Sequence, residues 1–243
     1  HLFKLMYQSK IVGIGHFVRE NVVTNKDIES LMDTSDEWIQ ERTGIKERRW
    51  VVPGDGNTTS SMGTKAARKA ISQANLLPSD IDFIIFATLS PDYYFPGPGV
   101  MVQKELGITE VGALDVRNQC SGFIYSLSVA DQFIKTGMYK NILVIGSELH
   151  SGGLEKSSRG RGVSVIFGDG AGAVVVQRSE NNTHGILSTH LHSEGLHAEE
   201  LALIGPSTGR WVPEIIEVND PNDTSYYPHM NGTFVFKHAI IRF

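Results

Sequence analysis

The residue best suited to covalent chemistry in this chain of 243 residues is its single cysteine, Cys120. Gly112-Ala-Leu-Asp-Val116 reads as a short apolar strand, and Arg117-Asn-Gln-Cys-Ser-Gly122 as a turn of small and polar residues. Phe123, Leu127, Ala130 and Ile134 then fall at helical spacing before a stop at Gly137. Cys120 therefore stands where a strand ends and a helix begins. The free N–H groups of a first helical turn favour an anion, hence the thiolate, the nucleophilic form of cysteine. Ser121 and Gly122 leave room for a substrate carbonyl. The competing reading is an inert cysteine buried as a small hydrophobe.

Trp38 and Arg42 form a second chemical pair. They lie four residues apart, on one face of a helix predicted over 36–41 and opened by Ser35. A flat aromatic beside a guanidinium suits a nucleotide base and its phosphates; it equally suits a half-buried tryptophan covered by an arginine. The stretch 147–162, with Lys156, Arg159 and Arg161, reads as a flexible basic surface loop, and Lys46-Glu-Arg-Arg49 as a solvated charged face. Tyr93-Tyr-Phe-Pro-Gly-Pro-Gly99 is a restricted aromatic loop that either shapes a pocket or packs under a helix. Gly168-Asp-Gly-Ala-Gly172 is not a dinucleotide loop, because the residues after it continue as a strand rather than opening a helix. Its glycines are expected to turn the chain between a strand over 163–167 and that next strand. His190 and His192 share one face of a strand expected from Gly185, but no third ligand follows at metal-site spacing, so no metal is expected.

The elements that must hold these groups alternate. Strands are predicted at 10–15, 81–88, 112–116 and 141–146. Helices are predicted at 26–32, capped by Thr24 with Asp27, at 58–74, rich in alanine, and at 99–106. Such alternation predicts a largely parallel sheet with helices on both faces. The stretch 179–184 is a polar break between halves, 206–227 is turn-rich, and 230–243 begins a helix with Phe236, Ile240 and Phe243 on one stripe. A hydrophobic share of 40% fits a globular α/β chain, and a net charge of −5 with mixed signs gives no reason to expect nucleic acid. No apolar run is long enough for a membrane span. One cysteine makes no internal disulfide, which suits a cytoplasmic protein.

Three stretches carry a family resemblance: Asp33-Thr-Ser-Asp-Glu-Trp-Ile-Gln-Glu-Arg-Thr-Gly-Ile45, Asp115-Val-Arg-Asn-Gln-Cys-Ser-Gly-Phe-Ile-Tyr-Ser-Leu-Ser-Val-Ala-Asp131 and Ile166-Phe-Gly-Asp-Gly-Ala-Gly-Ala173. In order and spacing the chain resembles β-ketoacyl-acyl-carrier-protein synthase III from about Met6 onward; residues 1–5 read as a tag remnant or leader. The resemblance implies an α/β thiolase-like fold in αβαβα layers. Its N-terminal half (6–180) would be complete and its C-terminal half (185–243) only begun, as in a truncated record. It implies a condensing acyltransferase: Cys120 takes an acyl group from acyl-CoA, and malonyl-acyl-carrier protein loses carbon dioxide and attacks the acyl-enzyme. Trp38 and Arg161 would sandwich the adenine of coenzyme A, Arg42 would meet its phosphates, and Thr34 would add a weaker contact. Phe95 would border the acyl pocket of the partner in a homodimer. No cofactor is implied beyond the coenzyme A thioester, which is substrate. The acidic carrier would need a local basic patch on this acidic chain. The family's histidine and asparagine match none of the motifs present. The alternatives are another thiolase-superfamily acyltransferase, of secondary metabolism, and an inactive acyl-CoA-binding fragment.

Overall fold

The computed structural model describes residues 7–179, 184–205, 224 and 227–242. In chain order its elements are β1 (Gln8–Phe17), β2 (Val22–Thr24), α1 (Asn25–Glu29), α2 (Asp36–Thr43), β3 (Glu47–Arg49), α3 (Thr59–Gln73), β4 (Phe83–Ala87), α4 (Pro98–Leu106), β5 (Gly112–Val116) and α5 (Gly122–Lys135). There follow β6 (Asn141–Glu148), α6 (Arg161–Ser164), β7 (Gly170–Ser179), β8 (Leu201–Ala202), β9 (His229–Met230) and α7 (Gly232–Arg242). The chain folds into two compact units, each built from three separated stretches: 1–21, 51–149 and 169–191 in the first, 22–50, 150–168 and 192–243 in the second. This division by contacts cuts across the sequential boundary at 180–185.

The first unit is a five-stranded sheet in the order β1-β7-β6-β4-β5. Because successive side chains of a strand point to opposite faces, the apolar runs supply two cores. Ile84, Phe86, Leu143, Ile145, Ala173 and Val175 pack with Met62, Ala66 and Ala70 of α3 and Val102 and Leu106 of α4. Ile85, Ile142, Val144, Val174 and Val176 pack with Ala130 and Ile134 of α5. Helices therefore cover both faces, as the alternation predicts. The small residues of α3 let β1 come close: a side chain on Gly13 or Gly15 would overlap the backbone carbonyl of Ala70 or Ala66. The start of α3 is a capping box between Thr58 and Ser61.

The sheet is not largely parallel. β4 runs parallel to β5 and β6, but β7 is antiparallel to both β6 and β1. A parallel return needs a crossover that carries the chain to the sheet's far end. Here the chain leaves after β6, builds 150–168 of the second unit, and re-enters at the same end, where Glu148 is opposite Gly170.

Two strand expectations fail. Residues 161–164 form the short α6 and 165–169 are irregular, while Gly170 and Gly172 lie inside β7 rather than in a turn before it. Val163 and Val165 are buried, but in the helical unit's core, and apolar alternation over so short a run does not say which core it fills. Residues 185–192 form no strand; only Ile186 is tied to the sheet, its N–H donating to the Ser9 carbonyl at 2.9 Å and its carbonyl accepting from Gln8 Nε2 at 3.0 Å.

The second unit packs Ile28, Met32, Ile39, Trp50, Leu154, Val163 and Val165 beneath the β2–β3 pair and the short helices. Arg48 is not part of a solvated face: it is buried, donating to Asn25 Oδ1 and the Val165 carbonyl, each at 2.8 Å, and burial lowers its pKa. Phe236 and Ile240 lie exposed on α7. Residues 1–6, 206–223 and Phe243 lie outside the described residues. Among the described residues no helix is long and apolar enough to cross a membrane, and no three histidine, cysteine or acidic side chains gather as a metal site.

Candidate active site

Within the sheet unit, Cys120 is carried by a turn that follows β5, the edge strand. The chain passes from Val116 through a 3-10 turn, Gln119–Ser121, into α5, so strand, cysteine and helix follow in the expected order. Gln119 has φ 47°, a left-handed conformation that a non-glycine residue adopts at a cost of about 1–3 kcal/mol. The turn is braced across its base, with Asn118 Nδ2 donating to Ser121 Oγ at 3.2 Å and Ser121 Oγ donating to the Asn118 carbonyl at 3.1 Å. Cys120 is exposed rather than buried in the described chain. Gly122 plays a different part from the one expected of it. It is buried, and a Cβ there would come 3.2 Å from Ala87 Cβ, so its smallness lets α5 pack on the end of β4 rather than leaving room for a carbonyl.

The neighbouring strand ends are tied together. Glu148, at the end of β6, accepts from Leu89 N–H and Ser90 Oγ, both at 2.7 Å. Beyond them the loop before α4 presents Tyr93, Tyr94 and Phe95 to solvent, Phe95 82% exposed, with a cis peptide between Phe95 and Pro96. Gly97 makes no side-chain cap on α4. The cap comes from Asp115 of β5, whose Oδ1 accepts the Gly99 N–H at 2.9 Å. Asp115 is exposed as a residue, but partial desolvation of its carboxyl raises its pKa, an effect partly opposed by the Gly99 bond.

In the second unit the remaining predicted residues meet. Ser35 opens α2 by accepting the Trp38 N–H at 3.1 Å, and Gly44, left-handed, ends it. Helical spacing puts the Arg42 guanidinium 4.5 Å from the centre of the Trp38 ring, as expected. Arg161, at the start of α6, brings a second guanidinium 4.8 Å from the same centre and donates to the Asp33 carbonyl at 2.7 Å. Ser158 Oγ accepts the Asp33 N–H at 2.8 Å. Both backbone groups of Asp33 are therefore held by 158–161. Far from a loose loop, that segment is anchored by Leu154 and Val163 in the core and by Ser164 Oγ donating to the Glu155 carbonyl at 2.7 Å. Thr34 Oγ1 is buried and has no hydrogen-bond partner among the described residues.

A hydrogen-bond network supports α2. Asp36 accepts from Asn25 Nδ2 at 2.7 Å and Gln40 Nε2 at 2.8 Å, which lowers its pKa. Glu29 is lowered chiefly by the Asp36 N–H, 2.6 Å away. Sequence reading found the Trp38–Arg42 pair from spacing alone. It missed Ser158 and the cap supplied by Asp115, because those contacts join segments far apart and leave no periodic signal.

Comparison with known proteins bears on the family of the chain. A family profile described as 3-oxoacyl-[acyl-carrier-protein] synthase III matches residues 114–195, the stretch that carries Cys120 and Arg161. A curated relative from Brucella anthropi, β-ketoacyl-[acyl-carrier-protein] synthase III, is 43% identical over 240 residues, covering 97% of this chain and 69% of the relative. The crystal structure of 3-oxoacyl-[acyl-carrier-protein] synthase III from Aquifex aeolicus superposes with a TM-score of 0.82 at 43% identity, over 95% of this chain and 67% of that one. The priming β-ketosynthase from the R1128 polyketide pathway superposes with a TM-score of 0.80 at 28% identity, over 97% of this chain and 66% of that one.

Proposed function

This chain belongs to the β-ketoacyl-[acyl-carrier-protein] synthase III family, and from that premise we propose a role for each of its site residues. The fold is the family's thiolase-like α/β fold, and the activity is that of a condensing acyltransferase that initiates type II fatty-acid synthesis. Cys120 is the nucleophile. Its Sγ attacks the carbonyl of an acyl-CoA, a new thioester forms on the cysteine, and coenzyme A leaves as its thiol. Malonyl-acyl-carrier protein is the acceptor in the second step, in which loss of carbon dioxide leaves a carbanion that attacks the acyl-cysteine and frees Cys120. The observation that carries this reading is the exposure of Cys120 on a braced turn at the head of α5.

Trp38, Arg42, Arg161 and Thr34 bind the nucleotide end of coenzyme A. Two guanidiniums on one indole supply stacking and phosphate charge, and the unpartnered Thr34 hydroxyl supplies a free hydrogen-bonding group. A purine between Trp38 and Arg161 needs two contact layers of about 3.5 Å. The guanidinium must therefore lift from its 4.8 Å position when the nucleotide enters. Homodimerisation is supported by β5, an edge strand with unpaired backbone and an exposed Leu114. A cytoplasmic location agrees with the single cysteine.

Intact-mass measurement before and after incubation with acetyl-CoA tests the first step. An acetyl adduct that is lost in C120S is the expected result; an adduct that persists in C120S, or none in the parent, sinks it. W38A and R161A are each expected to weaken coenzyme A binding about tenfold, within the range for a partly desolvated cation–π contact. A second reading, a priming acyltransferase of secondary metabolism, is favoured by the likeness to the R1128 enzyme. Turnover with malonyl-acyl-carrier protein from fatty-acid synthesis separates the two.

A further inference from the structure

We propose that Asp115 is a positioning residue that sets acyl-chain selectivity by fixing the loop that presents Phe95; the inference rests on the reading of Phe95 as a wall of the acyl pocket. The loop is held on its N-terminal side by Asp92, which accepts from the Ser60 N–H at 3.0 Å and from Ser60 Oγ at 2.9 Å, and on its C-terminal side by Asp115. Tyr93, Tyr94 and Phe95 are exposed, and the helix that follows begins without a side-chain cap of its own. Asp115 supplies the missing acceptor from β5, its Oδ1 accepting the Gly99 N–H at 2.9 Å. The acceptor faces the N–H groups of the first turn of the nine-residue α4, which a helix start otherwise leaves unpaired.

The contact is also steric. A Cβ on Gly97 would overlap the Asp115 carboxylate, although φ −69° and ψ 161° at Gly97 suit any residue. The loop and the strand edge are therefore fitted to each other at Gly97, two residues from Phe95. Asp115 is five residues before Cys120 in the chain and follows Leu114 on the same strand. One carboxylate thus ties the edge strand to the loop that carries Phe95, the residue read as bordering the partner's acyl pocket. The chemistry it serves is the discrimination of acyl-CoA thioesters by chain length, not the attack itself.

The test uses the full chain and competing acetyl-, butyryl- and hexanoyl-CoA, with the ratio of adducts on Cys120 read by intact mass. D115A is expected to change that ratio at least threefold while coenzyme A binding, read by isothermal titration calorimetry, stays within twofold. G97A perturbs the same contact from the other side without backbone strain and is expected to shift the ratio in the same direction. D115N keeps an oxygen for the Gly99 N–H and is expected to shift it less, which covers the case in which D115A folds poorly. Sedimentation should show each variant in the parent's association state; a change in that state overturns the proposal. So does a shifted ratio in F95A with none in D115A and G97A, which leaves the pocket reading intact. If F95A too leaves the ratio unmoved, or the parent takes no acyl group, the pocket reading fails and the proposal falls with it.

Discussion

The two units hold their functional groups by different means. In the sheet unit the strand ends that lead to Cys120 and Phe95 grow out of a two-faced apolar core in which Phe86, Ile84, Ile85, Leu143 and Ile145 are fully buried. In the clamp unit the core is small; Trp38 packs against it, and the helix that carries Trp38 is further held by hydrogen bonds: Ser35 at the cap, Asp36 and Glu29 linked through Asn25 and the Asp36 N–H, and Arg48 buried among acceptors. A hydrophobic core resists changes of pH because burying carbon involves no proton. A carboxylate network does not, since each acceptor is lost on protonation. Among the described residues the clamp unit carries three lowered carboxylates, Asp27, Glu29 and Asp36, against one, Asp55, in the sheet unit, so the nucleotide clamp is expected to be the more sensitive to acid.

Truncating each core tests this contrast with the largest expected effect. Phe86→Ala is expected to cost about 3–5 kcal/mol in denaturant unfolding, because a fully buried ring lying against Gly63 leaves a cavity that the sheet cannot collapse into. Ile39→Ala should cost less, near 2 kcal/mol. By hydrogen exchange its loss of protection should be confined to 22–50 and 150–168. Equal loss throughout both units would break the contrast.

Next in size is Asn25→Ala. Asn25 is buried and serves three partners, donating to Asp36 and to the Ile45 carbonyl at 2.7 Å each and accepting from Arg48 at 2.8 Å. Its loss should cost about 1–3 kcal/mol, the usual penalty for buried polar groups left unpaired. It should also return the Asp36 carboxyl toward its ordinary value, which a carboxyl NMR titration reads directly. An Asp36 titration that does not move would mean that Asn25 is not the main cause of the lowering.

The smallest effect, and the sharpest for the comparison, is on pH. Asp27, Glu29 and Asp36 are held below the ordinary carboxylate values of 3.8 and 4.5, chiefly by Thr24, the Asp36 N–H and Asn25 respectively. Their stabilisation is therefore fully present above those ordinary values and is lost as pH falls through the lowered ones. Asp115 has the opposite sign. Partial desolvation raises its carboxyl above 3.8, so the folded state binds its proton more readily. Its contribution thus falls as pH rises from 3.8 through the raised value and recovers on acidification. Hydrogen exchange from pH 6 downward should show protection lost first in 22–50. D115N should remove the Asp115 dependence from the sheet unit without touching the clamp unit. Loss of protection in both units at one pH, unchanged by D115N, would refute the assignment.

Much of this was legible in the chain because it depends on near neighbours. The capping pair Thr24 with Asp27, the Ser35 cap, and the Trp38–Arg42 face follow from spacings of three and four residues, which a helix brings together wherever it lies. The position of Cys120 between strand and helix is likewise local, as is the alternation that puts Ile84 and Ile85 in different cores. The meeting of Arg161 with Trp38, more than a hundred residues apart, followed only from the family resemblance. The tertiary structure alone decided the rest: the antiparallel return of β7, the burial of Arg48 and Val163, and the capping of α4 by Asp115 from another strand. Local periodicity states which face of an element is apolar or charged. Which distant face it meets is settled by the packing of the whole chain, where the cost of leaving a carbonyl, an N–H or an apolar side chain uncovered is weighed over all arrangements at once.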